Sequence, residues 1–417
     1  MSAPSVVPAR PASVVIDRIG ELTTNDDEHG GRLRDAAVVI EGDRVAWVGP
    51  AGTAPAADDL VDAAGRAVLP GWVDSHTHLV FAGDRTAEFE ARMAGAAYSA
   101  GGINATVRAT RAASDAQLEA NLLRLLAEAR RGGTTVIETK TGYGLTVADE
   151  LRAAQIAALH ADAVTFLGAH VVPEGADPHA YLDLATGPML TAVAPHVSAV
   201  DVFCEAGAFD EAASRRVLAT AAAAGLATRV HGNQLGHGPG ARLAVEFGAL
   251  SVDHLGFLAA ADIAALADSW AAWAGGSGPR GTVATVLPAC DLSTRMPLAP
   301  ARELLDAGVV LAIASNCNPG TSYTSSMAFC VATAVLQMGL SVQDAVRAAT
   351  LGGAIALGMH VAGWRDPRGA VQPEVGVIRP GARADLQLLE APSVTHLAYR
   401  PGMPLTAAVW KSGVRLL

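Results

Sequence analysis

The 417-residue chain is 51% hydrophobic and 17% charged, with 43 glycines and few aromatics, a composition that fits a soluble globular protein with a large core and excludes a disordered polymer. No segment approaches the ~18 uninterrupted apolar residues of a membrane span, and Met1-Ser-Ala-Pro4 lacks the basic start and apolar core of a signal peptide, so a cytoplasmic protein is expected. Thirty Lys plus Arg against 41 Asp plus Glu give a net charge of −11 without a basic block, which argues against nucleic acid and anionic membranes as partners and for a small-molecule substrate.

The four cysteines, Cys204, Cys290, Cys317 and Cys330, stand far apart with no CxxC pair. Neither a disulfide framework nor a thiolate zinc site is expected, and the thiols should be reduced. Residues 13–16, 37–40 and 44–48 are short β-rich runs divided by turn signals, with Gly49-Pro50 closing the last; they predict a small sheet. Residues 376–378, 380–389, 406–410 and 414–417 repeat the style at the far end. Each piece alone leaves strand edges unpaired and buries too little apolar area, so both ends are expected to build one small β-sandwich domain, residues 1–70 plus 365–417.

Residues 71–364 then form an insertion with a different rhythm. Strand-like runs at 71–75, 135–139, 164–169, 200–204, 228–230, 249–253, 281–287 and 309–315 alternate with Ala-rich stretches of helical length, such as 114–131 with Ser114 as N-cap and Gly132 as stop, and 147–160. Eight strand-plus-helix units predict a (β/α)8 TIM barrel, whose active site sits where the strands end and the following loops begin.

The polar residues fall at those ends. His76 and His78 close strand one and share a face, because side chains alternate along a strand. Lys140 and Tyr143 follow strand two, His170 strand three and Glu205 strand four. His231 closes strand five with Gln234 just beyond, His254 closes strand six and Asn316 strand eight. Five of the chain's 12 histidines thus gather at one end of four runs. The other seven fall in predicted loops or helices and are assigned to the surface.

Three imidazoles, His76, His78 and His231, can hold Zn²⁺ or a similar ion with a position left for water, which makes a hydroxide nucleophile at neutral pH. His170 and His254 are candidates to orient substrate or relay protons, or to support a metal ligand. No P-loop or dinucleotide fingerprint follows a strand, so hydrolysis is favoured over nucleotide or hydride chemistry.

The Pro70-Gly-Trp-Val-Asp-Ser-His76-Thr-His78 start of a barrel set between two halves of a β domain resembles the amidohydrolase superfamily. Within it the chain is similar to the imidazolonepropionase family, through the stretches at 76–85, 102–114, Lys140-Thr-Gly-Tyr-Gly-Leu145, Phe166-Leu-Gly-Ala-His170, Asp201-Val-Phe-Cys-Glu205, Val230-His-Gly-Asn-Gln234, Asp253-His-Leu255 and Asn318-Pro-Gly-Thr321. The resemblance implies opening of the cyclic amide of 4-imidazolone-5-propanoate to N-formimino-L-glutamate, one Zn²⁺ or Fe³⁺ ion, and a homodimer. It implies His76, His78 and His231 as ligands, with Asn316 at the last ligand position. Substrate contacts fall to Arg85, Tyr143, His170, Gln234, Asn318, Gly320 and Thr321, with Tyr98 a further lining residue, and catalysis to His254, Gln234 and the Asn316 position. A guanidinium suits a propionate tail because it can bind a carboxylate bidentately.

At Asn316 the family carries Asp, the last metal ligand and the acceptor of a proton from the attacking water. Asn coordinates weakly through its carbonyl oxygen and cannot act as a base, so impaired turnover, or transfer of the proton work to His254, is expected. Two other readings stay open: an amidohydrolase acting on another cyclic amide or amidine, and a non-catalytic ligand-binding paralogue.

Overall fold

The computed structural model describes residues 13–95, 102–273 and 280–417. Its first strand, β1 (Ser13–Thr23), continues well past residue 16. One edge pairs antiparallel with β2 (Arg32–Glu41), which pairs with β3 (Arg44–Pro50). At Arg18 the backbone turns left-handed (φ 54) and the register slips between Ile16 and Ile19. This bulge lets the other edge serve two parallel partners in succession, β4 (Asp59–Asp62) before it and β5 (Ala67–Pro70) after it.

A single residue, Gly71, separates β5 from β6 (Trp72–Asp74). The Gly71 amide donates to Asp385 O at 3.0 Å and the Trp72 amide to Gly133 O at 2.9 Å, so consecutive amides bond to two different sheets. The position requires glycine, since a Cβ there would run into the Thr135 side chain.

From β6 onward the strands lie side by side in sequence order and parallel: β7 (Thr134–Lys140), β8 (Ala163–Ala169), β9 (Ala199–Cys204), β10 (Ala227–Gly232), β11 (Ser251–His254), β12 (Val283–Val286) and β13 (Leu311–Ile313). Parallel neighbours that are also consecutive in sequence need a crossover between them. Between β6 and β7 it holds α1 (Thr86–Met93), α2 (Ile103–Ala112) and α3 (Asp115–Arg131). As the sequence predicts, Ser114 caps α3 in a reciprocal box with Gln117, Gly132 ends it, and Leu118, Leu122, Leu125, Leu126 and Ala129 form its buried stripe. The eight strands close at the mouth: the Asn316 amide donates to His76 O at 3.0 Å and the His78 amide to Cys317 O at 2.9 Å. This is the expected barrel.

After a hairpin of β14 (Trp364–Arg365) and β15 (Val371–Gln372), the chain returns to the first sheet with β16 (Leu386–Leu389), β17 (Thr406–Lys411) and β18 (Val414–Arg415). β16 pairs antiparallel with β5, so both ends of the chain build one sheet apart from the barrel. Ile16, Ile19, Leu22, Val38, Ile40 and Val68 share its core with Leu386, Leu388 and Trp410. Residues 376–378 form no strand; the Ile378 amide instead bonds to Thr24 O at 2.8 Å. Among the described residues no helix is long and apolar enough to cross a membrane.

Candidate active site

At the carboxyl end of the barrel His76 and His78 flank Thr77, whose backbone bridges to Cys317, so both rings emerge on one face. His231 joins them from β10. His76 Nε2 lies 3.2 Å from His78 Nε2, which lies 3.5 Å from His231 Nε2. The far nitrogens are held by carboxylates: His76 Nδ1 is 2.7 Å from Asp253 Oδ2 and His231 Nδ1 is 3.0 Å from Asp201 Oδ1. With the His76 Nδ1 proton drawn to Asp253 and His231 Nδ1 beside Asp201, the Nε2 atoms of both rings turn toward His78 Nε2. This donor set fits a metal ion, because three lone pairs within contact distance repel unless a cation lies among them.

Each carboxylate is backed by a buried cation. Arg229 Nη2 reaches Asp253 Oδ2 at 3.2 Å, and Lys140 Nζ bridges Asp201 Oδ2 at 3.0 Å and Glu138 Oε1 at 2.9 Å. Burial alone would raise both aspartates, yet Arg229 and His76 hold Asp253 well below the usual carboxylate range, as His231 and Lys140 do Asp201. Burial, reinforced by neighbouring cations, drives His76 and His78 far below the ordinary imidazole value. Both rings are held neutral.

His170 stacks on His78 with ring centroids 5.6 Å apart, and its Nδ1 bonds to Gly142 O at 3.0 Å, which leaves Nε2 for the cavity. Burial and His231 lower it to about 4. Tyr143, 5.4 Å from the His170 ring, closes the same wall. His254 ends β11 with φ 87, followed by Leu255 at φ 67. Two successive non-glycine residues in the left-handed region cost about 1–3 kcal/mol each, strain kept where it aims a side chain into a cavity. His254 Nδ1 is buried without a hydrogen-bond partner among the described residues.

Gln234 reaches the cavity from the loop after β10, its amide anchored on Glu205 Oε1. Asn316 lines it from beyond β13 at φ 52, a conformation Asn tolerates. Asn318 lines the cavity as well, with its side chain tied into its own loop: Oδ1 accepts from the Gly320 and Thr321 amides at 2.8 Å each, while Nδ2 donates to Asn316 O at 2.6 Å and to Thr321 Oγ1 at 2.8 Å. Its capacity is used in shaping the Asn-Pro-Gly-Thr turn. Arg85 and Thr321 line the cavity, and Gly320 packs against the Arg85 guanidinium. Tyr98 lies outside the described residues.

The supporting residues Asp201, Arg229 and Asp253 escaped the sequence reading, although each interrupts an otherwise apolar buried run, and charges in such runs require partners. A wider hollow, about 770 Å³, lies alongside, bordered by His179, Glu205 and His237. It has volume but no converging donors, so the chemistry belongs to the narrower polar cavity.

A parallel barrel with converging imidazoles at its mouth and an appended sheet defines a class of metal-dependent hydrolases, and the comparisons agree. A family model described as the amidohydrolase family matches residues 67–415, and the chain belongs to that family. Within it, the chain is 66% identical to an imidazolonepropionase of Arthrobacter sp. (strain FB24), over 97% of this chain and 99% of that one, and 60% identical to an imidazolonepropionase of Micrococcus luteus, over 97% and 99%. Among solved structures, a triazine hydrolase variant superposes with a TM-score of 0.71 at 18% identity, covering 97% of this chain and 94% of that one. An adenosine deaminase from Xanthomonas campestris with bound zinc gives 0.69 at 22%, covering 97% and 92%; these two carry the fold alone.

Proposed function

We propose that this chain hydrolyses the cyclic amide of 4-imidazolone-5-propanoate to N-formimino-L-glutamate, the reaction of histidine degradation that its relatives' name denotes, and that it holds one zinc or iron ion on His76, His78 and His231. The observation that carries this reading is the convergence of three imidazoles, two of them backed by carboxylates, with His78 Nε2 3.2 and 3.5 Å from the Nε2 atoms of the other two, beside Arg85, in a chain 66% identical to an imidazolonepropionase. When bound, the ion supplies Lewis acidity, which makes water nucleophilic at neutral pH. The residues do the rest. Arg85 receives the propionate carboxylate, Tyr143 and His170 wall the ring, and Gln234 and Thr321 fix its orientation. Buried and neutral, His254 accepts the proton that Asn316 cannot take, then returns it to the leaving ring nitrogen.

The division into residues 1–70 plus 365–417 and 71–364, and the pairing of two copies, belong to the same reading. The decisive experiment is metal analysis of the purified protein alongside loss of imidazolone absorbance. Bound metal with ring opening supports the reading; metal without any ring opening sinks it. Asn316 favours one alternative, a protein that binds metal and ligand without turnover.

A further inference from the structure

Arg85 stands at the start of α1 with Glu88 one turn on, and the carboxylate grips one edge of the guanidinium. Nε donates to Glu88 Oε2 at 2.8 Å, and Nη2 donates to Oε1 and Oε2 at 2.6 and 2.7 Å. Two glycines form a slot around it. A Cβ at Gly102 would strike Nη2 together with Glu88 Oε2, and a Cβ at Gly320 would strike Nη1 and Cζ. Held in plane, the guanidinium keeps Nη1 as the nitrogen that Glu88 does not engage. Arg85 borders both the imidazole cavity and an outer hollow of about 480 Å³, whereas Glu88 lines neither. A ligand can therefore meet Arg85 without displacing Glu88.

We propose that Glu88 is a positioning residue for the anionic end of the substrate: by gripping the Nε/Nη2 edge of Arg85 it presents the Nη1 end to an incoming carboxylate. The inference rests on the assignment of Arg85 given above. Two effects oppose each other, since the charge of Glu88 repels a second carboxylate while its grip fixes the guanidinium plane. The Glu88 side chain is 33% exposed against 4% for Arg85, so water screens the repulsion but leaves the geometry intact. Positioning outweighs repulsion, and neutralising Glu88 weakens the binding of an anionic ligand.

The probes are imidazole-4-propanoate, which has no ring amide to open, and its methyl ester, titrated calorimetrically into the metal-loaded protein. The parent should prefer the acid, and Arg85→Met should lose that preference. Glu88→Gln should bind the acid about tenfold more weakly with ester affinity, metal content and Tm unchanged. Glu88→Asp, which keeps the charge on a shorter arm, should fall between, and its acid-to-ester ratio decides if the Gln variant does not fold. Unchanged or tighter acid binding by Glu88→Gln overturns the inference, as does equal weakening of both ligands. A parent without preference for the acid instead means that the Arg85 assignment has failed, and the inference falls with it.

Discussion

Three imidazole lone pairs aimed at one point repel until a cation joins them, so the histidines and the ion should stand or fall together. His78→Ala is expected to leave the dialysed protein with little metal, read by atomic absorption; full stoichiometry would dissolve the ligand set. Asn316 separates assembling the site from running it. Holding metal and ligand requires no proton acceptor at that position, whereas full turnover does, because burial makes His254 a weaker base than a carboxylate placed there. Asn316→Asp should therefore raise the ring-opening rate by ~10²–10⁴-fold at matched metal occupancy and tighten metal binding, because an anionic donor replaces a neutral one. An unchanged or lower rate would mark Asn316 as a settled adaptation in which His254 alone carries the proton at full rate. The histidines were legible because period-two alternation and strand ends are local signals. Asp253, Arg229 and Asp201 were not, since the pairs they form join strands from separate parts of the chain, and local pattern carries no record of who meets whom.

Between elements, the most informative joint is Asp162. It lies in the turn before β8, accepts from the Ile137 amide at 3.0 Å, and binds Lys411 of β17 through both oxygens at 2.8 Å. Barrel and terminal sheet are thereby riveted together. Burial works to raise the Asp162 carboxyl, but Lys411 and Arg383 bring it below its ordinary 3.8. A depressed folded value means that its stabilisation is present above the unfolded value and lost as the pH falls through the folded one. Asp162→Asn should accordingly destabilise the protein by ~2–3 kcal/mol at pH 7, with the gap to the parent closing in denaturation curves taken progressively below pH 4. A gap that persisted in acid would mean the loss is packing and not charge. The barrel strands were readable from the sequence, whereas in the terminal sheet β4 and β5 were missed and residues 376–378 form no strand. β1 outruns its apolar start because the Arg18 bulge lets it change partners, and residues 381–384 meet the start of β3 through backbone bonds around a single Arg44–Arg383 bridge before β16 begins at Leu386.

For the whole molecule, the ion belongs to the stability of the fold as well as to its chemistry. The seam between β6 and β13 closes through the backbone of His76, His78, Asn316 and Cys317, which places two of the three converging imidazoles on the joint itself. A ligand that binds only the folded state raises its stability, so stripping the metal with a chelator should lower Tm by several °C, and adding zinc back should restore it. A chelated protein that melted with the holoprotein would show the barrel closing unaided. The barrel was legible because eight strand-and-helix units leave few arrangements, while the particular bonds that close its seam were not, since they are backbone contacts that side-chain pattern does not encode.

The same seam and the shared sheet impose an order in time. β5 is flanked by β1, made early, and by β16, which begins at Leu386; the strand that opens the barrel must wait for Asn316 and Cys317. On the ribosome β1 to β5 can pair with one another early, but the second edge of β5 and the core that Ile16, Ile19 and Leu22 share with Leu386, Leu388 and Trp410 stay incomplete until nearly the whole polypeptide has emerged. The nascent chain is thus committed to a long interval of exposed strand edges, during which chaperones can engage it and aggregation competes with completion.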